Sequence, residues 1–189
     1  MPLPSTGYDS ATISNPASAL TDFTLLVDLS RMSTDWWAAV TSSDGTKGRA
    51  AKDDETELAA DWIDFDDVGE TGWLRVKWSG TLAASGSQVL RIYPPVTGNS
   101  SYAASDTYGS DNAYDSNWEG YWPDGAGTDR TANGRDATSF GEISPGGVSG
   151  QVGNATDYDG TGDYADAGTT PVSGSENRTV ICWANPDDT

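Results

Sequence analysis

Glycine, serine, threonine, aspartate and asparagine recur every few residues along this chain, and no window of a dozen residues carries an apolar stripe at the helical period of 3.6. Such a chain has no amphipathic helix to bury and must assemble its core from strands. The segment GWLRVKWSG (72–80) shows the period that remains. It places Trp73, Arg75 and Lys77 on one side and Leu74, Val76 and Trp78 on the other, the pattern of a half-buried antiparallel strand. TDFTLLVDLS (21–30) sets Phe23, Leu25, Val27 and Leu29 on one face. SQVLRIYPP (87–95) follows the turn-rich AASG, so it is expected to form a hairpin with 72–80. Pro94-Pro95 ends that pairing, because proline has no amide hydrogen for the ladder.

Smaller units lie between these strands. DWWAAV predicts a helical turn capped by Ser33 or Asp35, SSDGT a turn, and ELAADWIDFD a further strand with Trp62 in the core. Residues 96–117 are small, polar and tyrosine-rich, and are expected to connect two β units. Beyond them, short strand patterns alternate with Gly/Asp turns, which is sandwich patterning. The expected fold class is therefore all-β, with two consecutive antiparallel β-sandwich modules. Residues 1–10 form an arm, 11–95 the first β domain, 96–117 a linker and 118–189 the start of the second sandwich.

Composition narrows the partners. Hydrophobic residues make up only 35% of the chain, yet eight Trp, eight Tyr and three Phe supply the large apolar surfaces that a disordered acidic tail lacks. The formal charge of −19 repels nucleic acid and anionic membrane surfaces. Of the 29 acids 23 are Asp, and only three bases are Lys, a bias that suits solubility in high salt; a calcium-binding extracellular protein is the rival explanation. No run approaches the ~20 apolar residues of a membrane helix, and MPLPSTGYDS has neither the basic nor the apolar region of a signal peptide. With one cysteine, Cys182, no intrachain disulfide forms, and its place between Ile181 and Trp183 suggests a small buried side chain. The absence of histidine excludes Ser-His-Asp triads, Cys-His dyads and histidine-bound zinc.

Three places could carry chemistry. ATDYDGTGDYADAG (155–168) gathers Asp157, Asp159, Asp163 and Asp166, whose oxygens suit calcium, although their spacing is not that of an EF-hand loop. Asx turns between two strands that carry Tyr158 and Tyr164 are the simpler expectation, with the glycines supplying positive φ. DRTANGRDAT (129–138) spaces Asp129, Asn133 and Asp136 for a curled loop, where Asn133-Gly134 is a strong turn former and calcium again the secondary reading. Glu119 beside Trp118 and Tyr121 suggests a glycosidase carboxylate, but that chemistry needs a second carboxyl at a defined separation. Trp and Tyr could stack on sugar rings, while Trp36, Trp62, Trp78 and Trp183 are more simply core residues.

The first unit resembles the domain of unknown function family numbered 2341. The resemblance rests on ALTDFTLLVDLS, SSDGT, TELAADWIDFD and WLRVKWSGTLAASGSQVLRIYPPVTGN, with two prolines and an insertion in place of the family's usual tyrosine-glycine ending. WEGYWP, DRTANGRDAT, GQVGNATDYDGTGDYADAG and TVICWANP, in that order, resemble the opening of a laminin-G-like, concanavalin-A-like jelly roll, which implies two consecutive antiparallel β-sandwich or jelly-roll modules, the second incomplete. The tandem resemblance, with the β-only patterning, the lack of a signal peptide and the lack of disulfides, implies a non-enzymatic structural and adhesion protein of a virion, extracellular, the N-terminal part of a tail fibre or similar appendage, and the acidic bias implies a saline habitat. Its partners would be other virion proteins, further copies of itself in a trimer and a host-surface glycan, with no cofactor unless calcium. A prokaryotic cell-surface glycan-binding module and a carbohydrate-active enzyme are the alternatives.

Overall fold

The computed structural model describes residues 3, 7–15, 17–123, 127–143, 146–150, 154–168, 179–182 and 184. The chain divides into two compact units, Met1–Trp118 with Arg130–Ala132, and Glu119–Asp129 with Asn133–Thr189. The fold is all-β, with antiparallel pairing throughout the described ladders.

Seven strands build the first unit: β1 (Asp9–Ser14), β2 (Leu20–Asp28), β3 (Arg49–Lys52), β4 (Glu57–Leu58), β5 (Ala60–Asp66), β6 (Thr71–Leu82) and β7 (Ser87–Tyr93). They form a four-stranded sheet in the order β1-β7-β3-β4 and a three-stranded sheet in the order β2-β6-β5. Leu74, Val76, Trp78 and Trp62 of one sheet pack into a single core with Ala50, Leu58, Leu90 and Ile92 of the other, and Leu29, Trp36 and Trp37 join the same cluster. The period-two alternation of 72–80 is therefore the alternation of core and outer face.

Tryptophan dominates this core. Each buried indole removes about 150–250 Å² from water, worth several kcal/mol at about 25 cal/mol per Å². Trp36 stacks on Trp62 at 6.5 Å and Trp37 on Phe65 at 5.7 Å, and Trp36 Nε1 donates to Ile92 O at 2.8 Å. The helical turn that delivers Trp36 and Trp37, α1 (Thr34–Ala39), is capped by Ser33, whose Oγ accepts from Trp36 N at 3.1 Å. Asp9 holds that cap in turn, accepting from Ser33 Oγ at 2.8 Å.

Three expectations about the first unit are corrected. β6 and β7 are not a hairpin: β6 pairs with β2 and β5, and β7 with β1 and β3, so the AASG turn carries the chain from one sheet to the other. Alternation fixes which side chains face the core, and both strands satisfy it by facing each other across the core instead of lying side by side. Asn15 fixes this crossing, donating from Nδ2 to Ser18 O at 2.6 Å and to Leu82 O at 3.3 Å, while its backbone N–H donates to Gly86 O at 3.0 Å. Second, ELAADWIDFD is two strands in different sheets, β4 and β5, parted at Ala59. Third, residues 96–117 are not a linker. Ala60 N donates to Tyr108 O and Tyr102 N to Thr46 O, and Ala113 and Tyr114 are buried, because the tyrosines lay their rings on the sandwich while two of their hydroxyls reach carboxylates.

In the second unit the described strands are two residues each: β8 (Ser139–Phe140), β9 (Val148–Ser149), β10 (Asn154–Ala155) and β11 (Ala165–Asp166). β8 pairs with β11 and β9 with β10. The flanks of Asp159-Gly160-Thr161-Gly162 therefore do not pair with each other as expected; each finds an earlier strand. Cys182 is exposed, not buried, and Trp183 lies outside the described residues.

Candidate functional site

The polar interior of the first unit is a cavity of about 140 Å³ against β3, β4 and β5, lined in part by Arg49, Glu57, Asp61, Tyr102, Tyr108 and Arg130. Arg49 reaches it from β3 and is almost wholly buried. Its guanidinium donates from Nη1 to Gly48 O at 2.7 Å and Thr46 O at 3.1 Å, and from Nη2 to Ser100 O at 2.6 Å. Its Nε lies 3.4 Å from Glu57 Oε1, and its Cζ sits 4.0 Å from the centre of the Tyr102 ring. Tyr102 Oη donates to Glu57 Oε1 at 2.9 Å.

Burial pushes the Glu57 carboxyl above its ordinary range, against the opposing pull of the Tyr102 hydroxyl and the Arg49 charge. Burial, with Glu57 beside it, also pushes the Tyr102 hydroxyl up. The pair therefore keeps a proton more readily than either group does in water.

Asp61, 1% exposed on β5, anchors the other wall. Its Oδ2 accepts from Tyr114 Oη at 2.6 Å and from Arg130 Nε at 3.2 Å, and Arg130 Nη2 binds Oδ1. This two-point arginine grip is the strongest form of carboxylate pairing. Arg75, on the outer face of β6, is covered by the rings of Trp118 at 4.6 Å and Tyr114 at 5.4 Å.

Next to the cavity, and sharing Glu57, Leu58 and Tyr108 with it, is an open groove of about 460 Å³. Its remaining walls come from Ala59, from Lys77 and Ser79 of β6 and from Ser105, Thr107 and Asn112.

Asp159, Asp163, Asp166, Asp129 and Asp136, singled out in the sequence, are engaged with backbone amides. Asp159 Oδ1 accepts from Thr161 N at 2.8 Å, Asp163 Oδ2 from Gly160 N at 2.8 Å, and Asp166 Oδ1 from Gly168 N at 2.7 Å, which are turn-forming bonds. Asp157 is exposed on the same stretch, and Tyr158 and Tyr164 are each about half exposed. Asp129 and Asp136 do come together: Asp136 Oδ1 accepts from Asp129 N at 2.8 Å, and Asp129 accepts from Tyr121 N and Arg135 N, closing the curled loop. Asn133 Nδ2 donates to Glu119 O at 3.3 Å, and Glu119 Oε2 lies 2.6 Å from Arg135 Nη1. Among the described residues no three acids or cysteines are placed to share a metal ion.

The cavity residues escaped sequence reasoning because they are spread from 46 to 130 and meet only through the fold. One signal was present. Tyr102, Tyr108 and Tyr114 recur every six residues in a stretch otherwise small and polar, and rings at such spacing have a surface to cover.

No protein-family model, curated protein or solved structure matches this chain.

Proposed function

We propose that this chain is a structural and adhesion protein of a virus particle, the N-terminal part of a tail fibre or similar extracellular appendage. The observation that carries this reading is how the first unit spends its buried charges. Arg49 with Glu57 and Tyr102, and Asp61 with Arg130 and Tyr114, are committed to one another and to backbone carbonyls, bracing the sandwich from within. Such bracing suits a module whose work is to hold position. In this reading 11–95 is a domain like the 2341 family and 118–189 the start of a laminin-G-like module, so the front docks to the particle and the lectin-like part is displayed. Copies assemble as a trimer, and calcium, if it takes part, binds at the aspartate turns.

The test is mass spectrometry and antibody labelling of purified particles. The chain is expected at an appendage, and its absence from particles would end the reading. A cell-surface glycan-binding role in a prokaryote is favoured by the half-exposed Tyr158 and Tyr164, which offer ring faces beside a polar turn. Labelling of cells in place of particles would select it. A carbohydrate-active enzyme would be shown by release of reducing sugar that is lost in Glu119→Gln.

A further inference from the structure

The open groove on the first unit has a composition that its structural role does not use. Lys77 is half-buried in it, one of three lysines in a chain of formal charge −19, and it has no carboxylate within 4.0 Å among the described residues. Glu57, the acid in the same wall, turns its Oε1 away to Tyr102 and Arg49. Lys77 thus stands in a concave surface with no carboxylate in contact with it among the described residues. Around it stand the hydroxyls of Ser79, Ser105 and Thr107 and the side chain of Asn112, whose Nδ2 is taken by Asp106 O at 2.9 Å while its Oδ1 remains an acceptor. Tyr108 is held by its backbone to Ala60 and by ring contact with Tyr102 at 5.8 Å, and its hydroxyl has no hydrogen-bond partner among the described residues.

We propose that this groove binds a carboxylated sugar residue of the uronic-acid type. A pyranose ring has one polar rim and one apolar C–H face, so it needs hydroxyl and amide partners together with an aromatic or apolar wall, which Tyr108 supplies. The carboxylate needs a cation that no protein acid has already neutralised, and Lys77 is that cation. The volume of about 460 Å³ accommodates one or two sugar rings. The charge of the whole molecule opposes an anionic ligand at long range, so recognition is short-range and improves with salt until the Lys77 contact itself is screened. This inference goes beyond the attachment reading by placing sugar recognition on the first unit, and it is tested without particles.

The experiment titrates the full chain with methyl glucuronoside, methyl glucoside and acetate, followed by amide NMR shifts at 0.15 M NaCl, and repeats the titration with Lys77→Gln after its thermal melting has been matched to the parent. The expected result is saturable binding of the glucuronoside with shifts at Lys77, Tyr108 and Thr107. Affinity should fall about tenfold or more for methyl glucoside, for acetate and for the Lys77→Gln variant, the loss of one charge-assisted contact. Tyr108→Leu serves as a second variant that removes the aromatic wall and the hydroxyl, and it should weaken glucuronoside binding several-fold. Equal affinity for glucoside and glucuronoside, equal affinity of acetate, unchanged binding by Lys77→Gln, or no shift in the groove would each overturn the proposal.

Discussion

At the residue scale the first unit turns on two acids treated differently by their surroundings. Asp61 is buried, gripped by Arg130 and bonded to Tyr114. Removing its charge in Asp61→Asn takes away the carboxylate that this guanidinium grips, and because Arg130 is about a third exposed, water recovers part of that loss. A destabilisation of about 1.5–3 kcal/mol is expected in urea unfolding, the range for hydrogen bonds to charged groups; an unchanged midpoint would mean the grip adds nothing. Glu57 is governed by its burial. Its folded carboxyl is raised above the ordinary 4.5, so the folded state holds the proton more tightly than the unfolded chain. Its contribution therefore weakens as pH rises from about 4.5 through the raised value, whereas Asp44, lowered below 3.8 by the Ser101 and Thr46 hydroxyls, loses its contribution as pH falls below 3.8. Glu57→Gln should flatten the stability profile just above 4.5 while leaving the acid limb in place, as read by thermal melts across pH. None of this was legible in the sequence, since which acid is buried depends on which chain segment lies over it.

At the element scale the sequence was a good guide to faces and a poor one to partners. Leu74, Val76 and Trp78 are core as their alternation requires, Ser33 caps its helical turn, and Tyr93 ends β7 where Pro94 forbids continuation. The neighbours of each strand were not readable, because every strand with an apolar face can be satisfied by either sheet. Glycines mark where partners approach closest. A Cβ on Gly48 would stand 2.2 Å from Trp62 Cζ2, so Gly48→Ala must displace a core indole, with an expected cost of about 1–3 kcal/mol in denaturant unfolding and altered Trp fluorescence. Gly72 has φ +142° and a Cβ there would meet the Phe65 backbone at 3.0 Å, beside the register shift of β5 between Ile63 and Asp66. Gly72→Ala should therefore cost at least as much as an ordinary strained backbone position, about 1–3 kcal/mol. Wild-type stability in either variant would show that the approach can be relieved.

At the scale of the whole molecule the dominant quantity is charge. Twenty-nine acids against ten bases give −19, and at low ionic strength this self-repulsion works against the compact state. Raising NaCl from about 0.01 to 1 M shortens the screening length from about 30 to 3 Å, so the melting temperature should climb, by about 2–4 °C for each kcal/mol of repulsion removed. A flat or falling curve would show that attractive pairs outweigh repulsion. The all-β class was legible from the lack of any helical stripe, whereas the assignment of 96–117 was not, because small polar residues conceal how much area three tyrosines cover.

The strand order has one further consequence, for the chain while it is being made. Among the described ladders β1 pairs only with β7 and β2 only with β6, so both strands emerge ahead of partners some fifty to eighty residues downstream. At about 5–20 residues per second of synthesis that is a wait of several seconds. During it Phe23 lacks the Trp78 ring on which it stacks at 6.2 Å, and whatever shields the apolar side of β2 must let go once β6 has emerged.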